Sequence, residues 1–226
     1  NWDYYGPREK MRLRVYQGVP RQVRGQVWAL LLYIEKVKST QQGLYEKMKE
    51  QAKLSSKDIW QIDLDVNWTF RNQVMLGDRY GIMQRALFHV LLAYSVYNPE
   101  VGICQGMTDI VGILLMYLGE EDTFWAPAQL MTLETHAMHG RGPAGHPACL
   151  PTGKGHGLLK ASVAMAIGHS VCRPLSHSQA TLRWLLPHAL SLQTPFTLNL
   201  KLWDAYMLDG ERVLTAMAYT VLRLHR

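Results

Sequence analysis

The chain has 226 residues, 48% of them hydrophobic, enough for one large domain or two small ones with a buried core. Its longest wholly apolar runs, such as 111–118 (VGILLMYL), stop far short of the ~18 residues a membrane span needs, so no direct membrane insertion is expected. The net charge of +6 does not mark a nucleic-acid surface. The excess comes from residues 135–203, which hold no Asp or Glu and only the scattered bases Arg141, Lys154, Lys160, Arg173, Arg183 and Lys201. Nucleic-acid binding instead gathers Lys and Arg on one face. No secretory signal pattern opens the chain, and a start on Asn1 fits an excerpt or a processed fragment. Cys104, Cys149 and Cys172 have no paired spacing, which favours a reducing, cytoplasmic setting over a disulfide scaffold.

From the N-terminus to about His139 the pattern is helical, with no strand-like alternation, and predicts an all-α bundle. Residues 26–34 (QVWALLLYI) read as the core of one buried helix. Ser55 with Asp58 three residues later reads as a capping box that starts the next helix. In 82–97 (IMQRALFHVLLAYSVY), Ile82, Leu87, Val90, Leu91, Tyr94 and Tyr97 fall on one broad face, and Asn98-Pro99 ends the helix. Residues 107–118 form another apolar helix. Asp122 is placed to cap a further one, in which Pro127 should cost about 3 kcal/mol or delay the start.

Residues 141–193 differ in character. They open RGPAGHPACLPTGKGHG, and most histidines lie in or just before this stretch (His136, His139, His146, His156, His169, His177, His188). Such composition predicts a loop or poor order. From Thr194 the sequence becomes helical again, with Asp209-Gly210-Glu211 between two apolar stretches.

The stretch 62–70 (IDLDVNWTF) poses the sharpest question. At 100° per residue, Ile59, Ile62, Val66 and Phe70 form a core stripe. Leu64, Trp68 and Arg71 fall on the opposite side. Trp68 either packs against another helix or faces outward, and the wheel leaves both readings open.

Several pieces in sequence order resemble a TBC domain, the module of GTPase-activating proteins for Rab GTPases. They are Gly18-Val19-Pro20 with Arg24 and Trp28, then Ile62-Asp63-Leu64-Asp65, then 98–107 (NPEVGICQGM), and finally Leu202-Trp203-Asp204 with Asp209-Gly210-Glu211-Arg212. The pattern is most similar to the RN-tre and Tre-oncogene branch and covers 10–139 and 194–226. The resemblance implies an all-α, multi-helix domain over 1–226, with 141–193 atypical and the second helical lobe truncated. It implies a GTP-bound Rab-family GTPase as partner, a role in vesicle trafficking, and a cytoplasmic location peripheral at endomembranes. The chain would be an activator of an enzyme rather than an enzyme, with no cofactor; its oligomeric state is left open.

The family is understood to supply an Arg and a Gln in trans to GTP hydrolysis, where an arginine finger contributes about 10³–10⁵ in rate. Carried over residue by residue, Asp65 and Gln105 match, the Arg position falls on Trp68, and the Tyr two before the Gln is Ile103. Arg71, Ile103 and Gly106 are the expected contacts with the GTPase. Indole has one N–H donor and no charge, so it cannot stabilise a phosphoryl transition state. Arg71 lies one turn on, offset by about 4.5 Å, too far to substitute where misplacements of about 1 Å already damage catalysis. The expectation is a weak or inactive activator. The alternatives are a non-catalytic binder of a Rab or another protein, and a degenerate relic. A compensated reading-frame change over 140–193 would explain the atypical stretch, and shifting the coding frame there should restore family-like sequence.

Other chemistry is disfavoured. His136, His139, His146 and Cys149 resemble a zinc set only loosely, with Gly and Pro between them, so no metal is expected. Gly153-Lys154 lacks both the earlier Gly and the following Ser or Thr of a P-loop. Cys104 and His89 read better as a motif neighbour and a helix-surface residue than as nucleophile and base.

Overall fold

The computed structural model describes residues 9–69, 81–99, 102–103, 106–132 and 195–210, with 212–213, 216–217 and 220 beyond them. Among these residues there are nine α-helices and no strand, as the periodicity predicts. They are α1 (Glu9–Gln17), α2 (Arg24–Leu31), α3 (Ile34–Thr40), α4 (Leu44–Ser55), α5 (Ile59–Trp68), α6 (Ile82–Tyr97), α7 (Met107–Leu115), α8 (Glu120–Thr132) and α9 (Phe196–Asp209). None is long and apolar enough to cross a membrane. The stretch 141–193 lies outside the described residues, together with all three cysteines and the histidines of the loose zinc set.

Helix α6 is the axis of the bundle and packs against α4, α5, α7 and α8. Its apolar residues cover more than one face: Leu87, Val90, Leu91, Leu92, Ala93 and Tyr94 are all buried. Around its C-terminal half the aromatic side chains interlock edge to face, with Tyr97 5.3 Å from Phe124 and 5.8 Å from Trp125. Ile82, expected on the core face, is instead 78% exposed, because it is the first residue of the helix and projects beyond the packed layer.

Three local expectations need correction. Residues 26–34 do not form one helix. The chain breaks after Leu31, Tyr33 takes a left-handed conformation (φ 54°), and α3 starts at Ile34. The break lets Leu32 and Ile34 both reach the core while Tyr33 stays exposed. The Ser55–Asp58 capping box does not form, because α4 runs through Ser55, whose hydroxyl donates back to the Gln51 carbonyl (2.9 Å). Asp58 itself stands at the N-cap position of α5, and its N–H donates to the Ser56 hydroxyl (3.3 Å). Finally, α8 begins at Glu120, ahead of Asp122, and continues through a buried Pro127. Glu120, Glu121 and Asp122 suit the positive end of the helix dipole, and Asp122 accepts from Lys38 Nζ at 2.7 Å rather than capping.

Helix α9 is joined to the N-terminal helices by a buried polar cluster. Asp204 is fully buried and accepts from Val19 N–H (2.8 Å), Arg24 Nε (3.0 Å) and Nη2 (3.2 Å), and Trp28 Nε1 (2.8 Å). Arg24 Nη2 also donates to the Val19 carbonyl (2.7 Å), and its guanidinium lies 5.1 Å from the Tyr117 ring. The motif pieces around Val19, Arg24, Trp28 and Asp204 are therefore one structural joint. At its rim Asp209 receives Arg12 (2.8 Å) and the Tyr16 hydroxyl (2.5 Å), and Gly210 (φ 67°) ends α9.

Candidate functional site: the outward face of the fifth helix

Helix α5 presents Ile62 and Val66 to the core, both essentially buried, as the wheel requires. Ile59, placed on the same stripe, is 36% exposed because it opens the helix where packing is still incomplete. Leu64 is 37% exposed and Trp68 70% exposed, so the outward alternative holds for Trp68. Trp68 is the last residue of the helix. Just beyond it, Thr69 donates both its N–H (3.0 Å) and its hydroxyl (2.8 Å) to the Asp65 carbonyl, which fixes the helix end.

Asp65 is half-buried on the flank of this face, and its carboxylate accepts from Gln61 Nε2 at 2.7 Å. Burial pushes its carboxyl above the usual carboxylate range; the Gln61 hydrogen bond opposes the shift, and Asp109 on α7 adds to it. No cation among the described residues contributes to Asp65's electrostatics.

The second motif lies on the connection between α6 and α7. After Asn98 the chain turns, and Gly102 N–H donates to the Asn98 carbonyl (2.9 Å). Gly102 (φ 57°) passes beside the start of α5, where a Cβ would come 4.0 Å from Asp58 Oδ2. Ile103 is half-buried against the hydrophobic core. Gly106 has φ 83°, the left-handed region that glycine adopts without strain, and it caps α7. Gly102 thus lies close to Asp58 at the start of α5, and Asp109 on α7 acts electrostatically on Asp65. Gln105 and Arg71 lie outside the described residues.

Chemically, this face offers apolar area and polarised amides without a fixed cation at position 68. Sequence reasoning missed one member of it: Trp60 is 74% exposed. The signal was present in the four-residue spacing Trp60, Leu64, Trp68, which places all three on one side of a helix. Among the described residues no group of His, Cys, Asp or Glu could hold a metal ion.

Comparison with known proteins agrees with the all-α fold and the family resemblance. The profile of the Rab-GTPase-TBC domain matches residues 21–142, more than half of the chain. The chain belongs to the Rab-GTPase-TBC domain family. It is similar to the TBC1 domain family member whacked of Drosophila melanogaster, with 29% identity over 98% of this chain. The chain spans 61% of that relative's length. Its fold is similar to the crystal structure of the Chlamydomonas flagellar RabGAP TBC domain, with a TM-score of 0.69 and 23% identity over 99% of this chain and 76% of that one.

Proposed function

We propose that this chain is a TBC module that engages a GTP-bound Rab-family GTPase through the outward face of α5 and accelerates hydrolysis weakly or not at all. One observation carries this reading: an exposed Trp68, 70% accessible, at the position where the family motif places its arginine. Hydrolysis needs a permanent positive charge against the γ-phosphate. An indole brings one neutral donor there, and a rate contribution of about 10³–10⁵ is forfeited. Gln105 remains to orient water, Asp65 flanks the face, and Arg71, Ile103 and Gly106 complete the contact region. The RN-tre and Tre-oncogene branch, a single domain over 1–226 and a role in vesicle trafficking at endomembranes belong to the same proposal. The buried joint at Asp204 supports the single-domain part, because it binds the helices on either side of 141–193.

Binding without catalysis is the second reading, and the apolar character of the same face favours it. Apolar burial gives affinity without stabilising a transition state.

Single-turnover GTP hydrolysis across a panel of Rab GTPases tests the proposal, comparing the unmodified chain with Trp68→Arg and with Trp68→Arg/Ile103→Tyr. The expected result is near-basal hydrolysis with the unmodified chain and a gain of at least about 10²-fold on one or more Rabs with the restored arginine. Strong acceleration by the unmodified chain would overturn the reading. Folded variants that neither bind nor accelerate any Rab would leave the degenerate alternative standing.

A further inference from the structure

We propose that the exposed side of α1 is a docking surface for an anionic membrane, on which the helix lies flat at the level of the lipid headgroups. Outside residues 135–203 the chain is neutral as a whole but unevenly charged. Residues 9–24 and 195–210, which carry α1, the turn after it and α9, hold six bases against three acids. The described residues of α3 to α8 hold seven bases against ten acids. A positive excess therefore belongs to the α1 and α9 pair.

Two of the six bases are already paired. Arg12 meets Asp209 at 2.8 Å, and Arg24 meets Asp204 at 3.0 Å. Lys201 runs alongside the end of α1, where a Cβ on Gly18 would come 3.3 Å from its Cε. A cation there suits the negative end of the helix dipole. Lys10, Arg14 and Arg21 are exposed, and no ion pair among the described residues reaches them. Val15 is the residue that α1 buries. Away from it, Lys10, Leu13, Arg14 and Gln17 follow one another at i, i+3, i+4 and i+7 and make one continuous stripe. Leu13 stands in the middle of this stripe and is 59% exposed. Tyr16 borders it, with its hydroxyl held by Asp209. Glu9, the one acid of α1, lies in the first turn, where it suits the positive end of the dipole.

The chemistry of the stripe selects the partner. Three bases without a counter-ion match an anionic surface, and an exposed leucine among them matches an apolar layer just beneath that surface. A membrane containing anionic lipid presents both in that order, and a convex helix needs no cleft to lie on it. An acidic protein surface would satisfy the bases and offer nothing apolar to Leu13. Each Lys or Arg close to an anionic membrane strengthens binding about fivefold, so three together contribute on the order of 10²-fold. With one leucine and no lipid anchor, the contact is reversible and sensitive to salt. No described helix is long and apolar enough to cross a membrane, and this mode of binding needs none. The surface lies on a different helix from the proposed GTPase-facing site, and its test involves no GTPase.

Co-sedimentation of the full chain with lipid vesicles tests the proposal. Partition onto phosphatidylcholine vesicles with about 30% phosphatidylserine should exceed partition onto phosphatidylcholine alone by on the order of 10²-fold at about 0.1 M salt, and the excess should collapse at about 0.5 M. The bases of 135–203 carry charge of the same sign, so two triple variants of equal net charge separate the contributions. Lys10→Gln/Arg14→Gln/Arg21→Gln should remove most of the excess, with unchanged far-UV circular dichroism. Lys154→Gln/Lys160→Gln/Arg173→Gln should lower it less than about threefold. Leu13→Ser should weaken binding several-fold with the salt dependence preserved. Equal partition onto the two vesicle types, an equal loss from the two triple variants, or unchanged binding by Leu13→Ser overturns the proposal. A parent that ignores both vesicles and binds polyglutamate through Lys10, Arg14 and Arg21 would also overturn it and give the face to an acidic polypeptide.

Discussion

Trp68 and Asp65 stand three residues apart, and the two side chains have opposite problems. The indole is apolar and 70% exposed, while the carboxylate is charged and half-buried. Burial raises the Asp65 carboxyl, and the nearby Asp109 adds to the shift. The folded chain therefore holds this proton at pH values where the unfolded chain has already released it. Stability from this group falls as pH rises from the unfolded Asp value, about 3.9, through the folded value, and the cost is fully present at neutral pH. Asp65→Asn removes that cost and keeps an acceptor for Gln61. It should melt at a higher temperature than the parent at about pH 7, with the difference closing below about pH 4. An equal difference at both pH values would assign the gain to something other than ionisation.

At the scale of elements, close backbone approach decides what periodicity cannot. Helix α2 meets the end of α7 so tightly that a Cβ on Gly25 would lie 2.0 Å from the Tyr117 carbonyl oxygen and 3.0 Å from its carbonyl carbon. Both are backbone atoms and cannot rotate away. Trp28, one turn along α2, stacks edge to face on Tyr117 at 5.2 Å and fixes the spacing. Gly25→Ala should therefore destabilise the protein by about 3 kcal/mol or more, read as a lower urea midpoint. A change within ~0.5 kcal/mol would show that the helices slide apart freely. The break between α2 and α3 has the same origin. The apolar run 26–34 carries no helix breaker, yet Tyr33 is left-handed so that Leu32 and Ile34, two residues apart, can both be buried. The sequence signals of a capping box at Ser55 and a helix cap at Asp122 were legible, but each side chain found a different partner, Gln51 O and Lys38.

For the whole molecule, the joint at Asp204 closes the chain on itself across about 180 residues of sequence. The carboxylate carries four donated hydrogen bonds with no solvent exposure, and Arg24 is nearly as deeply buried. Removing it leaves a guanidinium, an indole N–H and a backbone N–H short of an acceptor in the interior. Asp204→Ala should cost about 3–5 kcal/mol, seen as an earlier unfolding transition by denaturant. A loss below ~1 kcal/mol would mean that water replaces the carboxylate and the joint does not couple the two ends.

The helical rhythm and the order of the motifs determined the all-α class, the family and the two-sidedness of 62–70. These depend on spacing along the chain, and the backbone period converts spacing directly into faces. Tertiary structure decided the rest. It made the Gly-Val-Pro, Arg24, Trp28 and Trp-Asp pieces a buried joint, a role that spacing along the chain could not reveal because the partners are far apart in sequence. It also settled that Trp60, Leu64 and Trp68 lie on the solvent-exposed side of α5. Which face of a helix meets another helix depends on how every element packs at once, and no single stretch of sequence contains that information.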